Sequence, residues 1–473
     1  MSLRKISSGA LLSSAVLFCF LPLVAAQAQD VDVQGNLTMH DSTDSTVGNV
    51  LKEGVPFLHN FGTNNTFLGS GAGNFTMSGS GNTAAGNSAF NLNTTGSDNT
   101  ATGFGALGSN DSGSRNTATG RTALFSNTSG TENTATGASA LYFNSTGNFN
   151  TASGSNALFS NFGGSFNTAT GHSALINNAN GSDNTANGYR ALYSNTMGIE
   201  NSASGTMALH NNTIGSRNTA SGSMALHNNT TAESNTAIGF IALYSNATGY
   251  DNTATGDSAL YNNYTGSDNT ANGVGALSHN TIGSWNTASG VGALYSNGTG
   301  SNNTAIGYLA DVATEDLTNA TAIGSGAIVN ANNKIRLGDT AVTVIEGQVP
   351  YTYTSDRNKK ENFQRVDADE VLTKLRGLGV TSWNYKGQDA KQFRHYGPVA
   401  QDFFAAFGHD AVGTIGTPTT ITSGDLDGIL MIAAQALEKR TVEQEKEIAA
   451  LRARLEALER RGCEAGADVS AGL

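Results

Sequence analysis

A fixed period constrains this chain more than any other feature. From Asn65 the phrase N-T-A-x-G-x-x-A-L-x-x-N-T-x-G-x-x recurs every 17 residues, opening at Asn65, Asn82, Asn99, Asn116 and so on to Asn303. The first and last openings are (303 − 65)/17 = 14 steps apart, so there are 15 copies. Self-similarity of this kind decides the architecture before local propensity does. A helical repeat needs roughly 34 to 47 residues and a broad apolar face. Seventeen residues with two fixed glycines cannot hold two helices. The unit reads instead as two short strands, TAxG and xALxx, with turns at the glycine and at Asn-Thr-x-Gly. One unit buries almost nothing alone, so neighbours must stack, about 4.8 Å apart, to share a thin core. The expected fold is mostly β: a β-solenoid or β-roll of 15 repeats spanning 65–333.

Asparagines at the first and twelfth slots are expected to stack as side-chain amide ladders. So few large apolar residues per coil would leave a single roll marginal, and packing three chains together would bury a second face. The unit, as in TATGRTAL (Thr117–Leu124) or TAIGFIAL (Thr236–Leu243), resembles the head repeats of trimeric autotransporter adhesins. That resemblance implies a parallel β-roll, a homotrimer and an adhesin-like surface fibre.

Charged residues make up 13% of the chain, about half the usual share, and the net charge is −12. No lysine occurs between Lys52 and Lys334, and there is no basic stripe, so nucleic acid is excluded as a partner. The two cysteines, Cys19 and Cys463, offer no internal disulfide framework. Residues 1–28 read as a secretory signal peptide, with Arg4 and Lys5 before an apolar stretch and Ala26-Gln27-Ala28 as the cleavage site. No later stretch is apolar enough to span a bilayer. The expectation is a secreted protein at the bacterial cell surface. Residues 29–64 form a leader whose VDVQGNLTM reads as a strand. Residues 334–354 read as a neck with strands at KIRLG and AVTVIEGQV.

From Ser355 the composition changes and helical periodicity begins. The chain reads SDRNKKENF, then VLTKLRGLGVTSWNYK, HYGPVAQDFFAAFG and DLDGILMIAAQALEK. The opening Ser-Asp, the lysine five places after the serine and the segment Gly397–Asp402 resemble the intramolecular chaperone domain of phage endosialidase tailspikes, the S74 peptidase family. The resemblance implies a small α+β chaperone domain at 355–440 that assembles a trimer and then cuts itself free. It places a catalytic dyad on Ser355 and Lys360, with the cut between Thr354 and Ser355. Asp356 and Asn362 would orient the loop or stabilise the oxyanion.

The chemistry needs those residue types. A serine hydroxyl becomes a nucleophile when a base takes its proton, and a lysine is that base once desolvation makes it neutral. The plainer reading is that Ser355-Asp356 caps a helix and Lys359 and Lys360 are solvated. His395, His409 and Asp410 show no metal-ligand spacing, and neither metal nor cofactor is expected. Trp383 and Tyr385 read as domain core.

Residues 430–461 carry heptads, followed by a tail at 462–473. The seam is Leu430, Ala434, Leu437, Thr441, Gln444, Ile448, Leu451, Leu455 and Leu458. The pairs Arg440/Glu445, Glu447/Arg452 and Arg454/Glu459 are of opposite sign, which fits a parallel coiled coil. The alternative is a single amphipathic helix docked on its own domain.

These parts agree on an exported, trimeric fibre with a C-terminal assembly module. The alternatives are a phage-type tail fibre or spike, against which the signal peptide speaks, or an S74-like domain that trimerises without cutting. An ice- or crystal-binding solenoid would need a uniform threonine array, and slots near the threonine vary (Phe104, Arg121, His172, Tyr189). The sequence names no ligand for the fibre, and a carbohydrate on a host surface stays open.

Overall fold

The computed structural model describes residues 39–470 apart from 343, 349–353 and 387. The expected signal peptide at 1–28, with Cys19, and most of VDVQGNLTM lie outside the described residues. The chain divides into two compact units, 1–339 and 340–473.

The first unit is a β-solenoid. Each coil contributes one three-residue strand, from Thr66–Leu68 to Thr304–Ile306, and each strand pairs in parallel with the next. The register is the repeat itself: Thr100 faces Thr117, Ala101 faces Ala118 and Thr102 faces Thr119. A shortened coil adds Thr321–Ile323, and Ile335–Leu337 pairs in parallel with it. The KIRLG segment, expected in a neck, is thus the last rung. No strand occurs among the described residues of AVTVIEGQV.

At the opposite end, Val50–Lys52 and Val55–His59 form an antiparallel hairpin whose second strand pairs with Thr66–Leu68. The hairpin covers the open edge of the first coil. His59 is buried there, its Nε2 2.7 Å from the carbonyl of Ala72 and its ring stacked on Phe75.

The second expected strand, xALxx, forms only at the end of the array, where Asp311–Val312 pairs in parallel with Ile328–Val329; the described residues of the earlier coils have none there. The leucine at the ninth slot has φ near +51°, as at Leu124, Leu141 and Leu158, and the seventh and seventeenth slots are also left-handed. Left-handed backbone breaks a strand, and it costs a non-glycine residue about 1–2 kcal/mol. Its amide is paired nonetheless: the N–H of Leu124 donates to the carbonyl of Ala140 in the next coil at 2.9 Å. The turn puts the leucine inside the coil.

The core closes within one chain. Ala169, Ala174 and Leu175 are fully buried, as are the equivalent residues in coil after coil. Between them run the two asparagine ladders. Asn167 Nδ2 donates to Asn150 Oδ1 (3.2 Å) and to the Gly181 carbonyl (2.8 Å), while its own Oδ1 accepts from the backbone N–H of Asn184 (3.0 Å). In the second ladder Asn178 Nδ2 donates to Asn161 Oδ1 at 2.8 Å. Buried polar groups of this density hold only if all are paired. The single coil is therefore not short of core: interlocked amides do what large apolar side chains do elsewhere. Asn167→Ala leaves the Asn184 N–H and the Gly181 carbonyl short of partners and is expected to cost about 2–4 kcal/mol locally. Hydrogen exchange at Asn184 measures it, and unchanged protection would refute the ladder's role.

The second unit has three helices: α1 (Ala368–Gly377), α2 (Ala400–Phe407) and α3 (Ser423–Ser470). Asp367 caps α1 by accepting from the N–H groups of Asp369 and Glu370. Val371 of α1, Phe403 and Phe407 of α2 and Ala433 of α3 form the buried centre. On α3, Leu426, Ile429, Ile432 and Ala433 face this core. The heptad seam lies on another side, and Leu430, Leu437, Ile448, Leu451, Leu455 and Leu458 are all about half exposed. So α3 docks on its domain by one face and leaves the expected seam unpartnered. Among the described residues, no helix is long and apolar enough to cross a membrane.

Candidate functional site

The SDRNKK segment opens the second unit as a tight turn. Asp356 accepts from the N–H of Asn358 at 2.9 Å, capping a single 3₁₀ turn at Arg357–Lys359. The N–H of Lys360 closes the turn on the carbonyl of Arg357 at 3.2 Å. Two residues further on, Asn362 takes a left-handed φ of 56°.

The outcome is a close approach across five residues. Lys360 Nζ lies 2.7 Å from Ser355 Oγ. The turn thus brings together the two residues that the sequence pairs as nucleophile and base. Asp356 shapes the turn through the backbone, as the capping reading also expects. No contact joins Asn362 to the serine. Arg357 sits with its guanidinium 5.1 Å from the ring of Phe363, which pins the outer side of the loop.

Every residue from Thr354 to Phe363 is exposed in the single chain. With Nζ charged, the lysine donates to Oγ, the reverse of the proton transfer a general base performs.

A second feature escaped the sequence. Trp383 and Tyr385, expected in the core, stand on and beside a hairpin formed by Thr381–Trp383 and His395–Gly397. Trp383 packs against His395 at 4.8 Å between ring centroids, and Tyr385 is 62% exposed. The two aromatics border an open hollow with Gln401, Thr420 and Ile421. The period-two pattern that marks a strand is too short here, at three residues a side, to be read in advance.

No curated protein matches the chain. Residues 355–412 match the peptidase S74 family, described as the chaperone of endosialidase. The match begins at Ser355 and takes in the turn, α1, the hairpin and α2. Residues 355–412, C-terminal to a β-solenoid, are thus similar to the peptidase S74 family, the chaperone of endosialidase.

Proposed function

We propose that the protein is an exported, homotrimeric fibre whose domain at 355–440 aligns three chains and is then released by its own Ser355–Lys360 dyad. The observation that carries this reading is the 2.7 Å contact between Lys360 Nζ and Ser355 Oγ at the first residues of the family match. In the proposed step Ser355 Oγ attacks the carbonyl carbon of Thr354. Lys360 takes the hydroxyl proton and passes it to the departing Ser355 nitrogen. The peptide bond is exchanged for an ester on Oγ, and water hydrolyses that ester to free the C-terminal piece.

A self-cutting module suits this solenoid. Three low-complexity arrays have a register problem, because a slip of one coil preserves nearly every contact. A trimerising end sets the register, and cutting afterwards makes assembly irreversible. The exposed heptad seam of α3, with its opposite-sign flanking pairs, supports a parallel coiled coil at 430–461 as the first contact between chains. Export rests on residues 1–28, and the surface location follows from it.

Sedimentation equilibrium on the purified protein should return three chains, and a monomer at micromolar concentration would overturn the assembly. Deleting 355–473 before expression should yield aggregated repeats, whereas losing the same piece after assembly should not. The exposure of the turn favours a second reading, in which the domain aligns chains and never cuts. Intact mass separates the two.

A further inference from the structure

The outward face of the solenoid strands carries chemistry that neither the fold nor the C-terminal module uses. In each strand the middle residue is buried and the two flanking residues point out. The first flanking residue is threonine in every repeat coil except at Ser202. Over eight successive rungs, from Thr100–Thr102 to Thr219–Ser221, the second is Thr, Thr, Thr, Ser, Thr, Asn, Ser and Ser. Phe104, Arg121, His172 and Tyr189, whose variety spoke against a uniform array, sit beyond the slot-five glycine and not on this face. The face is two parallel files of hydroxyls with one amide. No charged, aromatic or aliphatic side chain interrupts it over those rungs.

These hydroxyls are free. Threonines at the thirteenth slot spend theirs inside the chain: Thr128, Thr196 and Thr213 each donate to a carbonyl of the next coil at 2.9–3.0 Å. On the eight rungs no strand hydroxyl bonds to another protein atom. Threonine is stiff about χ1, so the array holds its shape without further ordering. The unbroken register sets rungs about 4.8 Å apart, and the two files about 6.6 Å apart along the strand. A regular grid of donors, acceptors and methyl groups at these spacings templates ordered water.

What could cover the face is narrowed by its composition. A stable interface between copies has an apolar centre, and here aliphatics stand in the second file only outside these eight rungs, at Leu68 and Ala85 before them and at Ile238, Ile306 and Ile323 after them. The solenoid core closes without cover. Sugar rings stack on aromatic faces, and the aromatic column Phe125–Tyr142–Phe159 lies elsewhere on the coil, its rings stacked on one another. The neutral, hydroxylated grid points to a neutral, hydrogen-bonding lattice. We propose that the strand face from Thr100 to Ser221 binds ice, its ordered water merging with the crystal surface.

The test is ice recrystallisation in frozen sucrose solution with the purified full-length chain. The wild type should keep crystals small. Thr134→Tyr with Thr168→Tyr should abolish this effect with the circular dichroism spectrum and melting temperature unchanged, since tyrosine suits an exposed strand position. Tyrosines at the exposed Thr231 and Thr248, off the strand face, should leave it intact. Thr134→Val with Thr168→Val, nearly isosteric, should weaken it and guards against misfolding of the tyrosine pair. A folded wild type without effect on ice overturns the proposal. So does a tyrosine pair that lowers the oligomeric mass, which would make the face a contact between copies, or one that abolishes binding to crystalline cellulose or chitin while sparing ice.

Discussion

Replacing Gly171 with alanine is expected to open the solenoid around that coil, at a cost on the order of 5 kcal/mol. Gly171 has φ +128°, a region that side chains rarely adopt, and an added Cβ would stand 2.6 Å from the carbonyl oxygen of Gly188 in the next coil. The obstacle is backbone, so no side chain can swing aside. Nor can the coils part, because the N–H of Gly171 donates to Ser153 and that of Gly188 to Thr170, each at 2.8 Å. The fifth slot is glycine in every repeat coil. The fifteenth slot is a useful contrast: it holds Ala232 in one coil, whose carbonyl still accepts from Asn218 Nδ2 at 2.8 Å. An added Cβ at Gly181 would also stand 2.5 Å from a carbonyl oxygen, that of Gly198, but the position needs no left-handed backbone, so Gly181→Ala should be the milder lesion. In a linear array each coil touches only its neighbours, so the damage should stay local. Limited proteolysis and hydrogen exchange across 154–205 would show it. Wild-type protection in Gly171→Ala would mean that the close approach is not obligatory.

Ser355→Ala is expected to leave a full-length chain that still assembles. In the wild type the cut between Thr354 and Ser355 should release 473 − 354 = 119 residues beginning with serine. Lys360→Ala should block the cut equally, since the serine loses the group 2.7 Å from its oxygen. Lys359→Ala should still cut. The reaction should follow assembly, because the turn lies open to water in one chain and a lysine base needs a dry surrounding. Diluting the chains below the assembly concentration should then slow release, which a dyad complete within one chain would not do. Intact-mass spectrometry reads each case. A Ser355→Ala chain that is cut anyway removes the serine from the mechanism.

The period of 17 made the stacked coil and both asparagine ladders legible, because identical slots stacked in register must meet their own copies. The backbone hand at Leu124 and its equivalents was not legible. Leucine has no preference for left-handed φ, and only the closed coil, with its inter-coil amide bonds, imposes it. The extra rung at Ile335–Leu337 was hidden because it follows after 14 residues instead of 17. In the second unit the serine, the lysine and their spacing were readable, whereas the turn that joins them is built on the Asp356 cap. Trp383 and Tyr385 misled for an ordinary reason: large aromatics usually mark a core, and here α1, α2 and α3 fill theirs with Val371, Phe403 and Phe407.

The parallel register also has a mechanical consequence. Backbone bonds between coils run along the direction in which the coils stack, so a pull between the two ends of the solenoid loads them in series. The weakest junction opens first and sheds its coil while the remaining coils stay shut. Each coil stores 17 residues in a rise of about 4.8 Å and pays out about 55 Å of chain when it opens, a roughly tenfold extension. Stretching single molecules should give a ladder of equal steps of that size. A solenoid of this kind would yield under load by lengthening, coil by coil, and rewind when the load is removed.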